Sequence, residues 1–278
     1  MLARTPADAE VFAGNRARGR IALSVTTAAG ESRRQKVHEA GALRIRFPNA
    51  TSPDTLDAVI VNTAGGMTGG DCFDIGISVG SGARLTVTTA AAEKIYRSLG
   101  PDTRTSVRLD VEAGGMLAWL PQETILFDRV RLERSIDLNL APGANLVLAE
   151  AIVFGRSAMG ESVTSGYFSD RWRVRIGGKL AFAETLRLDG AIAAQLGRRA
   201  VAAGGIAIAS VLRIPGDDAA ATAVRDMAKD LAGEVGVSTW NGLTLARLVA
   251  PDGASLRGDL IRVLTVLSAT PPPRLWLN

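Results

Sequence analysis

Side chains able to do chemistry are few in kind. His38 is the only histidine and Cys72 the only cysteine in 278 residues. A zinc site of the Cys/His type cannot be built from these two alone. A hydrolytic triad around His38 would need a serine in a nucleophile setting, and none is expected. Imidazole and thiolate are the groups that hold nickel-like ions tightly, whereas carboxylates hold them more weakly. No tightly bound cofactor is therefore expected, and any metal role is one of transit.

Four segments concentrate the remaining polar chemistry. The first, Asn62 to Asp71, is a glycine-rich loop with Gly65, Gly66, Gly69 and Gly70 after the apolar run Ala58 to Val61. It invites a nucleotide-binding enzyme using the Gly65–Gly70 loop. No Gly-Lys-Ser/Thr ending follows, and Cys72 onward alternates like a strand where a phosphate loop would open a helix. The other reading is a tight strand crossing in which glycine permits close backbone approach. In the second segment, Thr88 to Ser98, Glu93, Lys94, Tyr96 and Arg97 form either a proton-transfer site or a salt-bridged corner. The third, Trp119 to Phe127, sets Gln122 and Glu123 between apolar neighbours after Pro121; a partly buried carboxylate there would suit metal contact, and an exposed bend is the alternative. In the fourth, Glu150 to Glu161, Arg156 lies between two glutamates, which predicts an internal charge network.

The elements that must position these groups are mainly strands. Period-two alternation dominates from Arg20 to Leu212, as in Phe73, Ile75, Ile77 and Val79, and in Trp172, Val174 and Ile176 with Arg171, Arg173 and Arg175 between them. Gly80-Ser81-Gly82, Gly114-Gly115, Pro142-Gly143 and Gly177-Gly178 supply turns. Helical spacing is clear only near the end. Val224, Met227, Ala228 and Leu231 make one stripe, with Asp217 and Asp218 as candidate caps. Leu256, Leu260, Leu264 and Leu267 make another, with Ser255 as candidate cap and Pro271 to Pro273 as a stop. Strands without intervening helices exclude a doubly wound sheet and favour stacked or rolled antiparallel sheets. The fold expected is mainly β, with two helices in the C-terminal region.

A chain that is 47% hydrophobic and 22% charged is expected to fold around a substantial core. The interior shows no linker, so a single domain over residues 1–278 is expected. Asp8 and Glu10 near the start argue against an export signal. The most apolar stretch, Ala200 to Leu212, is too short to span a bilayer. A soluble, cytoplasmic protein with no membrane partner is expected. The net charge of +4 is carried by dispersed arginines such as Arg33, Arg44, Arg84, Arg108 and Arg173, without the aromatic-interleaved basic cluster of a nucleic-acid binder.

Taken together, the four segments resemble the UreD (also called UreH) family of urease accessory proteins, in the family's order and approximate spacing. The resemblance is carried by Asn62 to Asp71 and by the Thr-Thr run leading to Lys94, Tyr96, Arg97 and Ser98. It continues through Leu120-Pro121-Gln122-Glu123, Phe154-Gly155-Arg156 with Met159-Gly160-Glu161, and the closing Pro273-Arg274-Leu275-Trp276. Departures are Ala90 in place of the common glutamine, Ala42 after Gly41 in place of proline, and Cys72 after Asp71 in place of a basic residue. The resemblance implies a β-rich, roughly helical stack of strands, β-helix-like, in a chain that is not itself an enzyme. It implies binding to apo-urease and, through UreF, to the GTPase UreG, where hydrolysis would belong. It also implies nickel passage through an internal tunnel, for which Asp71, Glu123, Glu161 and Glu93 are the candidate carboxylates.

Overall fold

The alternation read along the chain becomes a stack of β rungs in which each inward residue meets the same phase of the next rung. The computed structural model describes residues 14–49, 52, 54–156, 159–268 and 272–277. In chain order the elements are β1 (Arg18–Ala28), β2 (Glu31–Gly41), β3 (Leu43–Arg46), β4 (Leu56–Asn62), β5 (Cys72–Val79), β6 (Arg84–Thr89) and β7 (Glu93–Ile95). Then come β8 (Thr103–Val111), β9 (Met116–Leu120), β10 (Thr124–Leu126), β11 (Val130–Leu140), β12 (Asn145–Phe154), β13 (Gly166–Ile176) and β14 (Lys179–Gly190). The C-terminal region holds α1 (Ile192–Leu196), β15 (Ala207–Ile214), α2 (Asp218–Met227), β16 (Glu234–Trp240), β17 (Leu243–Ala250) and α3 (Gly253–Ser268).

Two sheets face each other. One runs β14-β13-β11-β8-β5-β1-β2, and the other runs β16-β17-β15-β12-β9-β6-β4-β3. From β4 to β13 the long strands alternate between the sheets, so the chain winds as a solenoid. Its rungs are parallel: β1, β5, β8, β11 and β13 pair in parallel on one side, and β4, β6, β9 and β12 on the other. This corrects the expectation of antiparallel sheets, because alternation reports one buried face and carries no information on strand direction. Antiparallel pairs occur at the ends, where β1 meets β2, β13 meets β14, and β12, β15, β17 and β16 form a run.

Inward side chains of both sheets make the main core, among them Ile21, Ile77, Leu109, Leu138, Leu148 and Phe168. β12 is buried on both faces. Its Leu146, Leu148, Ile152 and Phe154 join that core, while Val147, Ala149, Ala151 and Val153 join a second one under the helices. α2 and α3 cover this outer face with Val224, Leu256, Leu260, Val263, Leu264 and Leu267; the leucine stripe is the buried face of α3, whereas α2 buries Ala220, Ala221 and Val224 and leaves Met227, Ala228 and Leu231 half-buried at or past its end. The caps differ in detail. The Asp217 carboxylate accepts from the Ala220 N–H at 2.9 Å, leaving Asp218 inside the first turn. Asp252, not Ser255, caps α3, accepting from the Ser255 N–H at 2.8 Å. Met227 ends α2, and Ala228 continues only as a 3-10 turn. A third helix, α1, went unread because five residues give too short a period; its Ile192 and Leu196 enter the main core. Of the expected prolines, Pro271 lies outside the described residues. Among those described, no helix is long and apolar enough to cross a membrane.

Candidate functional site

The glycine-rich loop closes one side of the solenoid. Its Met67 pairs in parallel with Ile95, the Met67 N–H donating to the Lys94 carbonyl at 2.7 Å and the Tyr96 N–H to the Met67 carbonyl at 2.8 Å. Gly66 sits at φ +133°, and a Cβ there would meet Tyr96 Cε2 at 2.5 Å and the Lys94 carbonyl at 2.9 Å. A Cβ on Gly69 would meet Ser98 Oγ at 2.0 Å. Gly65 and Gly70 hold positive φ, and the Tyr96 hydroxyl donates to the Gly65 carbonyl at 3.1 Å. Gly66 and Gly69 therefore serve close approach, and Gly65 and Gly70 serve the positive φ of the loop. The loop feeds strand β5, not a helix, and the N–H groups of Ala64, Met67, Thr68, Gly70 and Asp71 are bonded within the protein. A phosphate cradle needs such donors free and a helix behind them.

Glu93 begins β7, which pairs with β10, which in turn pairs with β12. Asn62 Nδ2 donates to both Glu93 carboxylate oxygens, at 3.0 and 3.1 Å, and the Lys94 N–H to one of them at 3.1 Å. Burial pushes the Glu93 carboxyl above its ordinary range, outweighing the Asn62 and Lys94 bonds that favour the anion. The salt-bridged corner expected as one alternative does not form: Lys94 and Arg97 make no ion pair with Glu93, and backbone pairing and Asn62 hold the corner.

The other three carboxylates each fasten a loop. Asp71 is buried and accepts the Ala17 N–H at 2.8 Å and the Thr68 N–H at 2.7 Å, one on each oxygen. Glu123 is buried too. It takes a fork of two 2.7 Å bonds from Arg257 of α3, whose Nη2 also donates to Gln122 Oε1 at 2.9 Å. The bond to Glu123 holds the Arg257 guanidinium more firmly protonated than usual. Gln122 Nε2 donates to the Thr89 carbonyl at 3.0 Å, and the Glu93 N–H to the Glu123 carbonyl at 2.9 Å, so the second and third segments form one corner. Glu161 pairs with Arg156, whose guanidinium lies 4.3 Å from the Phe127 ring centroid, itself edge-on to Tyr96. Arg156 does not reach Glu150, which corrects the network expected there: Glu150 points between the sheets, and Arg156 lies in the turn beyond β12.

The partner of Glu150 is Arg134 of β11, a residue the sequence reading passed over. Arg134 Nε and Nη2 donate to the Asp170 carboxylate at 3.0 and 2.6 Å, and Nη1 makes a short bond to Glu150. Trp119 Nε1 donates to Glu150 at 2.9 Å and Trp172 Nε1 to Asp170 at 3.1 Å. Burial opposes the charge on Arg134, but Asp170 and Glu150 overcome it and hold the guanidinium more firmly protonated than in water; burial raises the Glu150 carboxyl. The sequence did carry a sign of this cluster. Arg134 falls in the inward phase of Leu132 and Ile136, Asp170 in that of Phe168 and Trp172, and Glu150 in that of Leu148 and Ile152. Charged residues in a buried phase are paired.

A cavity of about 80 Å³ lies between the sheets, bordered by Glu93, Gln122, Thr89, Trp119, Arg134 and Glu150 within apolar walls. A second, of about 30 Å³, shares Arg134 and Glu150 and continues to Asp170, Glu184 and Ser210. Of the four carboxylates expected along an internal route, Glu93 borders this space. Among the described residues no group of three or more His, Cys, Asp or Glu side chains is placed to hold a metal ion. One Gly-x-Ser-x-Gly spacing does occur, at Gly76 to Gly80, contrary to the expectation that no serine has a nucleophile setting. Its Ser78 lies on the exposed face of β5, with no strand-to-helix elbow, and His38 pairs with Ala22 two strands away.

Comparison with known proteins matches residues 17–277 to the family described as UreD urease accessory protein. A Rhodopseudomonas palustris (strain HaA2) protein named urease accessory protein UreD is 56% identical, over 98% of this chain and 97% of its own. Relatives of the same name from R. palustris CGA009, at 53% identity, and Bradyrhizobium diazoefficiens, at 52%, are covered to 96% of their length.

Proposed function

Because the chain belongs to the UreD family of urease accessory proteins, we propose that it acts in urease maturation as a scaffold without catalysis of its own. In this reading it binds apo-urease in the cytoplasm and, with UreF and the GTPase UreG, supports nickel insertion into the urease active site. GTP hydrolysis belongs to the partner. The chain works as one β-rich unit, and nickel is its cargo, held transiently.

The observation that carries the nickel part is the inter-sheet cavity with Glu93 at one border and Glu150 at another. A divalent cation passing through an apolar interior needs oxygen ligands, and isolated carboxylates release it more readily than a His or Cys cluster would. Asp71, Glu123 and Glu161 do not border this cavity and tie loops to backbone N–H groups or arginines, so in this reading they brace the walls, while Glu93, which borders the cavity and is held by the uncharged Asn62 amide, meets the ion.

The test is urease activity and nickel content of purified urease in cells whose urease operon lacks this gene, then carries it again as wild type or as Glu93→Ala. Deletion should leave apo-urease, and restoration should return nickel and activity. Glu93→Ala should assemble with its partners but load less nickel. Fully active urease in the deletion strain at limiting nickel, with no second copy of the gene, refutes the maturation role.

A further inference from the structure

The two sheets treat their outer faces differently. α2 and α3 cover the outer side of β12, β15, β17 and β16 in one sheet, whereas the outer face of the seven-stranded sheet is polar. We propose that this outer face, along β13, is a docking surface for an extended acidic segment of a partner protein.

The argument begins with the arginines. Arg171, Arg173 and Arg175 alternate along β13, so their side chains project from one face about 6.6 Å apart. Little neutralises them. Arg171 reaches Asp137 only at 3.4 Å, an exposed pair that is readily exchanged. Arg173 donates to the carbonyls of Trp172 and Glu184, and Asp137, across from it on β11, pairs with Arg171 and not with it. Arg175 makes no ion pair among the described residues. A partner strand carrying Asp or Glu at every second position has the same repeat, and guanidinium and carboxylate pair as a fork.

The surroundings suit a peptide. Beside Arg171 lies an open basin of about 340 Å³, with Ser106, Ser135, Ser169 and Thr185 as hydroxyl donors, Arg104 opposed by Asp74 and Glu133 in its lining, and no bulky side chain from β14 at Ala183. Leu180, 56% exposed, lies across from Arg175 in the same ladder and offers an apolar contact at the end of the arginine row. The middle strands interleave Asp74, Asp110, Glu133 and Asp137 with Arg104, Arg108 and Arg131, so they add little net charge beside the arginine row.

The test uses the full chain and two fluorescein-labelled peptides of equal composition, one alternating glutamate with glycine and one with the glutamates in a block. Saturable binding is expected, tighter for the alternating peptide and falling as salt rises. The double variant Arg171→Glu, Arg175→Glu should weaken it about tenfold. Arg198→Glu with Arg199→Glu, an equal charge change at exposed positions past α1, should leave it unchanged. Circular dichroism establishes that both variants are folded. Absence of saturable binding, equal loss in the two double variants, equal affinity for the two peptides, or displacement of the alternating peptide by a single-stranded oligonucleotide at lower concentration would each overturn the proposal. None of these outcomes bears on urease maturation, which the gene deletion tests separately.

Discussion

Replacing Arg134 with methionine removes one cation from between two buried carboxylates while keeping most of the side chain's volume. Arg134, Glu150 and Asp170 are each less than 10% exposed, so bulk solvent does not take over the lost bonds. Breaking a buried pair from one side costs about 3–5 kcal/mol, because an unpaired charge stays in the interior. Two carboxylates lose their partner here, but Trp119 and Trp172 still donate one bond to each. A loss of about 3–5 kcal/mol at pH 7 follows. In the variant Glu150 should titrate further above its unfolded value, because burial already raises it and the cation that offsets burial is gone. The native state then binds more protons than the unfolded chain, so stability falls as pH rises from the ordinary carboxylate range to the raised value. The deficit should therefore be smaller at pH 5 than at pH 7. Neutralising the carboxylates as well, in Arg134→Met with Glu150→Gln and Asp170→Asn, should recover most of it, since an apolar or neutral replacement of a whole ion cluster is often tolerated. Urea unfolding at the two pH values measures all three quantities. A loss under about 1 kcal/mol, or a deficit that neither acid nor the neutral companions reduce, would refute the electrostatic account.

Three further outcomes follow from the same corner of the molecule. Gly66→Ala places a Cβ 2.5 Å from Tyr96 at φ +133° and should cost about 2–4 kcal/mol in urea unfolding, while Gly65→Ala, at positive φ but with open space around it, should cost about 1–2 kcal/mol. Glu93→Gln removes a carboxyl whose pKa burial has raised, so the stability of the variant relative to wild type should improve as pH rises above the ordinary carboxylate range; a difference that does not change with pH rules this out. Trp276→Phe deletes the indole N–H that donates to the Leu120 carbonyl at 3.0 Å and to Thr88 Oγ1 at 3.2 Å, and should cost about 1–3 kcal/mol by the same assay.

Much of this architecture was legible as alternation. Phe73, Ile75, Ile77 and Val79 are buried along β5 as the period-two pattern requires, and the leucines of α3 are its buried stripe. The solenoid was not legible from periodicity, because the direction in which strands run depends on what each meets in space. The β4–β5 loop illustrates this: Met67 becomes part of a rung only by pairing with Ile95, 28 positions later. For the same reason spacing could show that Glu123 is flanked by apolar residues but not that Arg257, 134 positions on, would bind it.

The arrangement of charges tells more than the list of motifs does. Asp71, Glu123 and Glu161 lie in the segments on which the sequence resemblance rests, and each ties a loop to a neighbour, which keeps the walls of the inter-sheet space fixed. Arg134, Glu150 and Asp170 stand where apolar residues would pack as well and stabilise more. A buried cluster of one cation and two anions is hard to explain by stability alone, and it borders both cavities between the sheets. The triple neutral variant separates the alternatives. If it folds as well as wild type and still supports urease activation, the charges serve only to specify packing; if it folds but supports activation poorly, the interior polarity itself is required.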